Sequence, residues 1–279
     1  MDPESPGADD WRGQFTEEAR CERPDLAMLC LLIGAVADPE LGQPGLDAAQ
    51  VELDRLAGLL PYGVDSAGAW AEALAELLGG ACDFRGTPAE YQRLESSLLP
   101  EVLRRRRGLP ILLSVIWIEV ARRAGAPVYG VALPGHFVVG FGGPEERILA
   151  DPFNGGRPLT GADAELLVAG ATGAPLDPSM LTPADPLAIV LRILNNIRAW
   201  ASARPEHSAV ALWALDLSLL LPTHPARLRY DRAQLLVQRG DFLGGAAELD
   251  LYADVLEPVE PRTADTVRGR ARAARAMLN

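Results

Sequence analysis

Residues 104–141, RRRRGLPILLSVIWIEVARRAGAPVYGVALPGHFVVGF, constrain the fold more than any other stretch of this chain. From Pro110 to about Ala124 the run is apolar on nearly every side, so a helix there must be buried. Proline is favoured at its opening, because the first helical N–H has no intrahelical partner in any case. Gly125 closes it. PVYGVAL, GHFVVGF and, after the turn GGPEE (142–146), RILADPF then read as short β-strands. A buried helix against a small antiparallel sheet is an α+β arrangement.

One histidine stands in that sheet. His136 follows Pro134-Gly135 at the head of an apolar strand, and a glycine there admits a close neighbour. Such a lone histidine is ordinarily a satisfied core residue. Asp151, before Pro152-Phe153 on the next strand, changes the reading. It is expected to hold the imidazole through Nδ1, the orienting role of the acid in a nucleophile–His–acid triad. The nucleophile is harder to place. Ser114 lies one turn beyond Pro110 on the same helix face, about 5.4 Å deeper. It sits between Leu113 and Val115, with its hydroxyl expected on the carbonyl of Pro110. Cys82 precedes the core in a loop-like stretch and reads as an incidental thiol, folding over the cleft being the alternative. Glu119 is a lone charge in the apolar run, expected to pair with Arg122 or Arg123 at helical spacing or to face the cleft.

The series RRG-x-P leading to Ser114, then VARR-x-G-x-P-V-Y-G-V, PGHF and DPFNGG, resembles the SirB1 family. These are bacterial transglutaminase-like proteins with a tetratricopeptide-like C-terminus. The resemblance runs from about residue 25 to 253, and is most specific over 106–156. It implies a papain/transglutaminase-like core. Active relatives there place a cysteine at the start of the central helix, a histidine at the head of one strand and an aspartate on the next. Position by position, His136 and Asp151 take the last two places. The Gly-x-Cys of active enzymes falls on Gly108-Leu109-Pro110, so Pro110 stands where the nucleophile would be and has no nucleophilic atom. Pro110, Trp117, Glu119, Phe153 and Asn154 are expected to line the remaining cleft, which would take a small amide or acyl ligand or a peptide segment.

Ahead of this core, residues 1–20 read as a frayed or disordered terminus, and 21–160 as the transglutaminase-like domain. Its helical N-terminal layer comprises a helix from about Pro24 to Asp38, one over 46–60 and one over 67–80 ended by Gly79-Gly80. A short helix follows, with Ser96 or Ser97 as N-cap. The four arginines 104–107 read as a solvated helix end, an anion site being the sharper alternative. Residues 161–186, rich in Gly, Pro and Ala, read as a linker or crossover with a short helix around 162–169. The rest, 187–279, is an all-α region in which LDLSLLLP at Leu215 and LDLYADVLEP at Leu249 stand 34 residues apart, the tetratricopeptide period.

A net charge of −12 argues against nucleic acid or an anionic membrane as partner. No apolar run reaches about 18 residues. Three widely spaced cysteines, Cys21, Cys30 and Cys82, suit reduced thiols in a cytoplasmic protein. The three histidines are scattered and neither CxxC nor HExxH occurs, so no metal and no cofactor are expected. Two functions follow. One is a transglutaminase-like protein without its catalytic cysteine, a binding or regulatory module with a His–Asp cleft and a tail for protein or peptide partners. The other is an amide-forming or amide-cleaving enzyme that uses His136 as general base, oriented by Asp151.

Overall fold

The computed structural model describes residues 8–143 and 146–278. Residues 1–7 of the expected frayed terminus, and 144–145 of the expected turn, lie outside them. The chain divides into two compact units, residues 1–193 and 194–279.

The first unit begins with a correction. Residues 8–19 are helix α1 (Ala8–Ala19) and are not frayed. Trp11, Phe15 and Ala19 recur every four residues and are fully or almost fully buried, an apolar stripe masked in the sequence by acidic neighbours. Helix α2 (Leu26–Ala37) is capped by Asp25, whose carboxylate accepts the Met28 N–H at 2.9 Å. Helices α3 (Gly42–Ala57) and α4 (Ala67–Leu74) follow. Beyond α4 the coil widens into π-type turns over Ala75–Ala81, so Gly79-Gly80 lie inside it and do not end it. A Cβ on Gly79 would overlap the Gly155 carbonyl, so the missing side chain lets a distant loop touch the helix backbone. Helix α5 (Leu99–Arg105) starts with Leu98 at the cap and Pro100 in its first turn. Ser96 and Ser97 are buried in the preceding 3₁₀ turn and are not its cap; the Ser96 hydroxyl instead donates to Glu90 Oε2 at 2.5 Å.

Helix α6 (Pro110–Arg123) is the buried centre expected, with every residue from Pro110 to Ala121 enclosed. Strands β1 (Val128–Val131), β2 (Val138–Phe141), β3 (Ile148–Asp151) and β4 (Arg157–Leu159) form an antiparallel sheet in sequence order. Pairing of Phe141 with Ile148 makes β2–β3 a hairpin, and β4 adds a fourth strand just before the expected linker. The crossover is also no linker. Helix α7 (Gly161–Thr172), opened by a Thr160–Asp163 capping box, buries Ala164 and Val168 against Val131, Leu133, Val138 and Leu149. The Ala184 N–H donates to Gly130 O at 2.9 Å. The expected boundaries at 160 and 186 therefore give way to one at 193, within helix α8 (Pro186–Ser202).

The second unit continues with α9 (Ser208–Leu220), α10 (Arg227–Gln238), α11 (Phe242–Leu256) and α12 (Pro261–Ala276). Ser208 and Phe242 open α9 and α11, Arg227 and Pro261 open α10 and α12, and both offsets are the 34 residues read from the leucine motifs. One core cluster, over α10 to α12, is built of small residues: Ala233, Ala246, Ala253, Ala264, Ala271 and Ala274, around Tyr230, Leu249 and Val267. A Cβ on Gly245 would meet Val237 Cγ2 at 2.5 Å and Ala233 O at 2.9 Å, so α10 and α11 approach closely.

Candidate functional site

The site is built on two short connections in the first unit. Gly135, at φ 72°, turns the chain ahead of β2, and His136 sits on that turn two residues before the strand. Asp151 ends β3. His136 Nε2 stands 3.0 Å from Asp151 Oδ1, with the oxygen off the N–H axis, so the contact is electrostatic and not a directed hydrogen bond. The nitrogen facing the acid is therefore Nε2, where Nδ1 was expected. The ring edge is set by Phe153, which meets the imidazole at 89° with centroids 6.0 Å apart. Nδ1 has no partner among the described residues, on a side chain that keeps 12% exposure.

Asp151 is 2% exposed, and a buried carboxylate is costly unless its oxygens are bonded. Oδ1 also accepts the Phe153 N–H at 3.0 Å, and Oδ2 accepts Asn154 Nδ2 at 2.6 Å. Its carbonyl takes the Gly156 N–H at 2.8 Å. The sequence Asp-Pro-Phe-Asn-Gly-Gly is thus a tight loop wrapped around its own aspartate. Gly155 and Gly156 have φ of 68° and 85°, and a Cβ on Gly156 would overlap the Trp117 indole. Trp117 is fully buried beneath the loop, a floor and not a surface a ligand can touch.

A strap of chain, 83–92, lies over Phe153. The Gly86 N–H donates to Phe153 O at 2.9 Å, and Gly86 packs so closely that a Cβ would overlap the phenyl ring. Tyr91 also meets the Phe153 ring, tilted by 58° with centroids 6.3 Å apart. Three of the four arginines, Arg105 to Arg107, anchor this strap, which corrects their reading as a solvated helix end for all but Arg104. Arg105 reaches Glu90 at 2.9 Å, and Arg107 reaches Asp83 Oδ2 at 2.7 Å and Asp83 O at 2.5 Å. Arg106 reaches Glu52 at 2.7 Å with its guanidinium 4.5 Å over the Phe84 ring. Arg104 alone stays exposed, with Glu101 at 2.7 Å. The cause is local: Arg106 ends α5 in the left-handed region, φ 58°, which turns the chain toward Asp83 and Glu52. Hydrogen bonding to Arg107 lowers the Asp83 pKa, and bonding to Arg55, then charge from Arg55 and Arg106, lowers that of Glu52.

The remaining expected residues fall outside the His–Asp contact. Pro110 opens α6, buried, behind a Leu109 N–H to Ser96 O bond of 3.0 Å. The Ser114 hydroxyl is fully buried and donates to Phe137 O at 3.4 Å, not to Pro110, because β2 passes beside that face of α6. Glu119 does not face the cleft: it is 2% exposed and paired with Arg122 at 2.8 Å and with Arg123. Cys82 ends the 75–81 segment within electrostatic reach of Arg55. Cys30 is inert, its thiol pushed up by burial and by the charges of Glu119 and Asp25.

Two site residues escaped the sequence reading. Arg192 of α8 donates through Nη2 to Leu133 O at 2.8 Å and His136 O at 2.7 Å, fastening the histidine turn, and lies 5.5 Å over the Phe137 ring. Tyr91 is within electrostatic reach of Arg192 and Asp151, and burial raises its pKa, so it stays a neutral donor. A lone charge in the apolar PLAIVLRIL gave the same signal that singled out Glu119. Among the described residues no group of His, Cys, Asp and Glu could hold a metal ion. No single helix among them is long and apolar enough to cross a membrane.

Comparison with known proteins places this geometry. A tetratricopeptide repeat model matches residues 197–279. A UPF0162 protein of Xylella fastidiosa is 37% identical over 67% of this chain and 67% of its own. One from Pseudomonas aeruginosa is 33% identical over 56% of this chain and 58% of its own. Human F-box only protein 21 is 25% identical over 60% of this chain but only 26% of its own. The model described as transglutaminase-like superfamily matches residues 47–195, more than half the chain and the whole of the His136–Asp151 site, and the chain belongs to that superfamily.

Proposed function

We propose that the first unit is a ligand-binding module of SirB1 type that forms no covalent intermediate, and that the helical tail engages a protein or peptide partner. One observation carries the reading: the His136–Asp151 pair is intact, while α6 begins with Pro110 and the Ser114 hydroxyl is bonded into the core. Covalent catalysis needs a nucleophile within hydrogen-bond reach of its base. The ligand is a small amide or acyl compound or a peptide segment, held against the exposed edge of His136, Phe153 and Tyr91. In the tail, a groove of about 610 Å³ lined by Asn195, Arg198, Ser202, Leu215, Gln234 and Gln238 supports an extended, polar peptide as partner. We place the protein in the cytoplasm on its three unpaired thiols.

The second reading, a general-base enzyme, is favoured by unpartnered Nδ1 on a partly exposed ring. A base acting alone contributes about 10²–10⁴-fold. One experiment separates the readings. The full chain is incubated with activated N-acyl esters and with amides, and followed by intact-mass spectrometry and product release. The binding reading expects no stable adduct and no turnover, together with amide-dependent shifts of the His136 NMR signals. An acyl adduct mapped to Ser114 or Cys82 overturns it. Turnover lost in His136→Ala without any adduct replaces it with the second reading.

A further inference from the structure

Arg192 is unlike the other arginines around the site. Arg105, Arg106, Arg107, Arg122 and Arg123 each meet a carboxylate. Arg192 meets none among the described residues: its Nη2 donates to two backbone carbonyls and its face covers Phe137. Nε and Nη1 have no acceptor among the described residues. A partly buried cation with no anion is costly to keep, and burial lowers its pKa. Its location matters, since one of the two carbonyls belongs to His136 itself. Asp151 is not its partner: the Arg192 hydrogen bonds go to Leu133 O and His136 O, while the Asp151 oxygens meet Phe153, Asn154 and His136. Tyr91 shares with His136 a contact to the Phe153 ring, at centroid distances of 6.3 Å and 6.0 Å, and its neutral hydroxyl lies within electrostatic range of Arg192.

We propose that Arg192 and Tyr91 seat a carboxylate beside His136, so that the ligand of this cleft is a short peptide or amide carrying a free carboxylate. The inference rests on the cleft being a ligand site, as above. Guanidinium N–H groups bond carboxylates strongly, and a phenol adds a neutral donor to the same oxygens. The Phe153 and Tyr91 rings then offer apolar contact to the organic part of the ligand, which inorganic phosphate lacks.

The test uses the full chain and follows the His136 imidazole by NMR, its signal assigned by comparison with His136→Gln. The probes are N-acetyl-alanyl-alanine as free acid, the same dipeptide as C-terminal amide, and inorganic phosphate. The expected result is binding of the acid about tenfold or more tighter than the amide, a preference lost in Arg192→Gln. Because Arg192 also fastens the turn, Tyr91→Phe is the second variant: its half-exposed ring leaves the turn alone, and it should weaken the acid about threefold while sparing the amide. Equal affinity for acid and amide in the unaltered protein overturns the carboxylate seat and leaves the ligand cleft standing. Phosphate binding without acid binding overturns the carboxylate assignment. If neither dipeptide moves His136, both the seat and the cleft reading fall.

Discussion

The DPFNGG loop and the α10–α11 turn each use a glycine at nearly the same backbone angle, φ 85° at Gly156 and 88° at Gly240. Their surroundings differ. A side chain on Gly156 would run into the Trp117 indole, and one on Gly240 would meet nothing within 4 Å. At Gly156 glycine is demanded by packing as well as by conformation. At Gly240 it is demanded by conformation alone. The fits around Gly156 are close and particular to large side chains, while α10 to α12 pack as alanine-lined helix pairs.

Substitution tests the contrast directly. Gly156→Ala should cost about 2–5 kcal/mol, strain plus overlap with Trp117. Chemical denaturation would measure it, and hydrogen exchange would show protection lost first over 148–159. Gly240→Ala should cost only about 1–2 kcal/mol, strain alone, with the exchange change confined to the helices flanking that turn. Equal costs at the two positions would erase the distinction. The smallest effect concerns the strap anchor. Glu52 has its pKa lowered by Arg55 and Arg106, so its contribution to folding is present above its unfolded pKa of 4.5 and is lost as pH falls through the lower folded value. Glu52→Gln should remove about 1 kcal/mol or less at pH 7 and flatten the acid limb of the stability profile. Stability at pH 7 unaltered by that change would mean the Arg106 anchor rests on Phe84 stacking.

What the sequence made legible follows the same division. The buried run of α6, the short strands after it and the 34-residue spacing of the tail are periodic signals carried by neighbours in sequence. His136 and Asp151 were visible because Gly135 and the Pro-Phe-Asn-Gly-Gly run mark turns. Pairing at long range was not visible. Arg106 finds its acid 54 residues away in Glu52, and Arg192 finds its carbonyls 56 and 59 residues away. Helix α1 was missed for another reason: Trp11 and Phe15 are two aromatics among acids, and only burial shows them to be one stripe.

Arg106 carries a further consequence. Its backbone sits where glycine is comfortable and a side chain is strained by about 1–2 kcal/mol. Its guanidinium meanwhile joins Glu52 and Phe84. No single amino acid satisfies both demands fully, so the position is a compromise with few neighbours in sequence space. Glycine would relax the chain and release the carboxylate, lysine would keep the charge and give up the planar stack, and asparagine would ease the angle alone. A saturation library at 106, selected only for folding, should return glycine and asparagine beside arginine and few β-branched residues, while Arg104, two residues earlier and exposed, should vary freely.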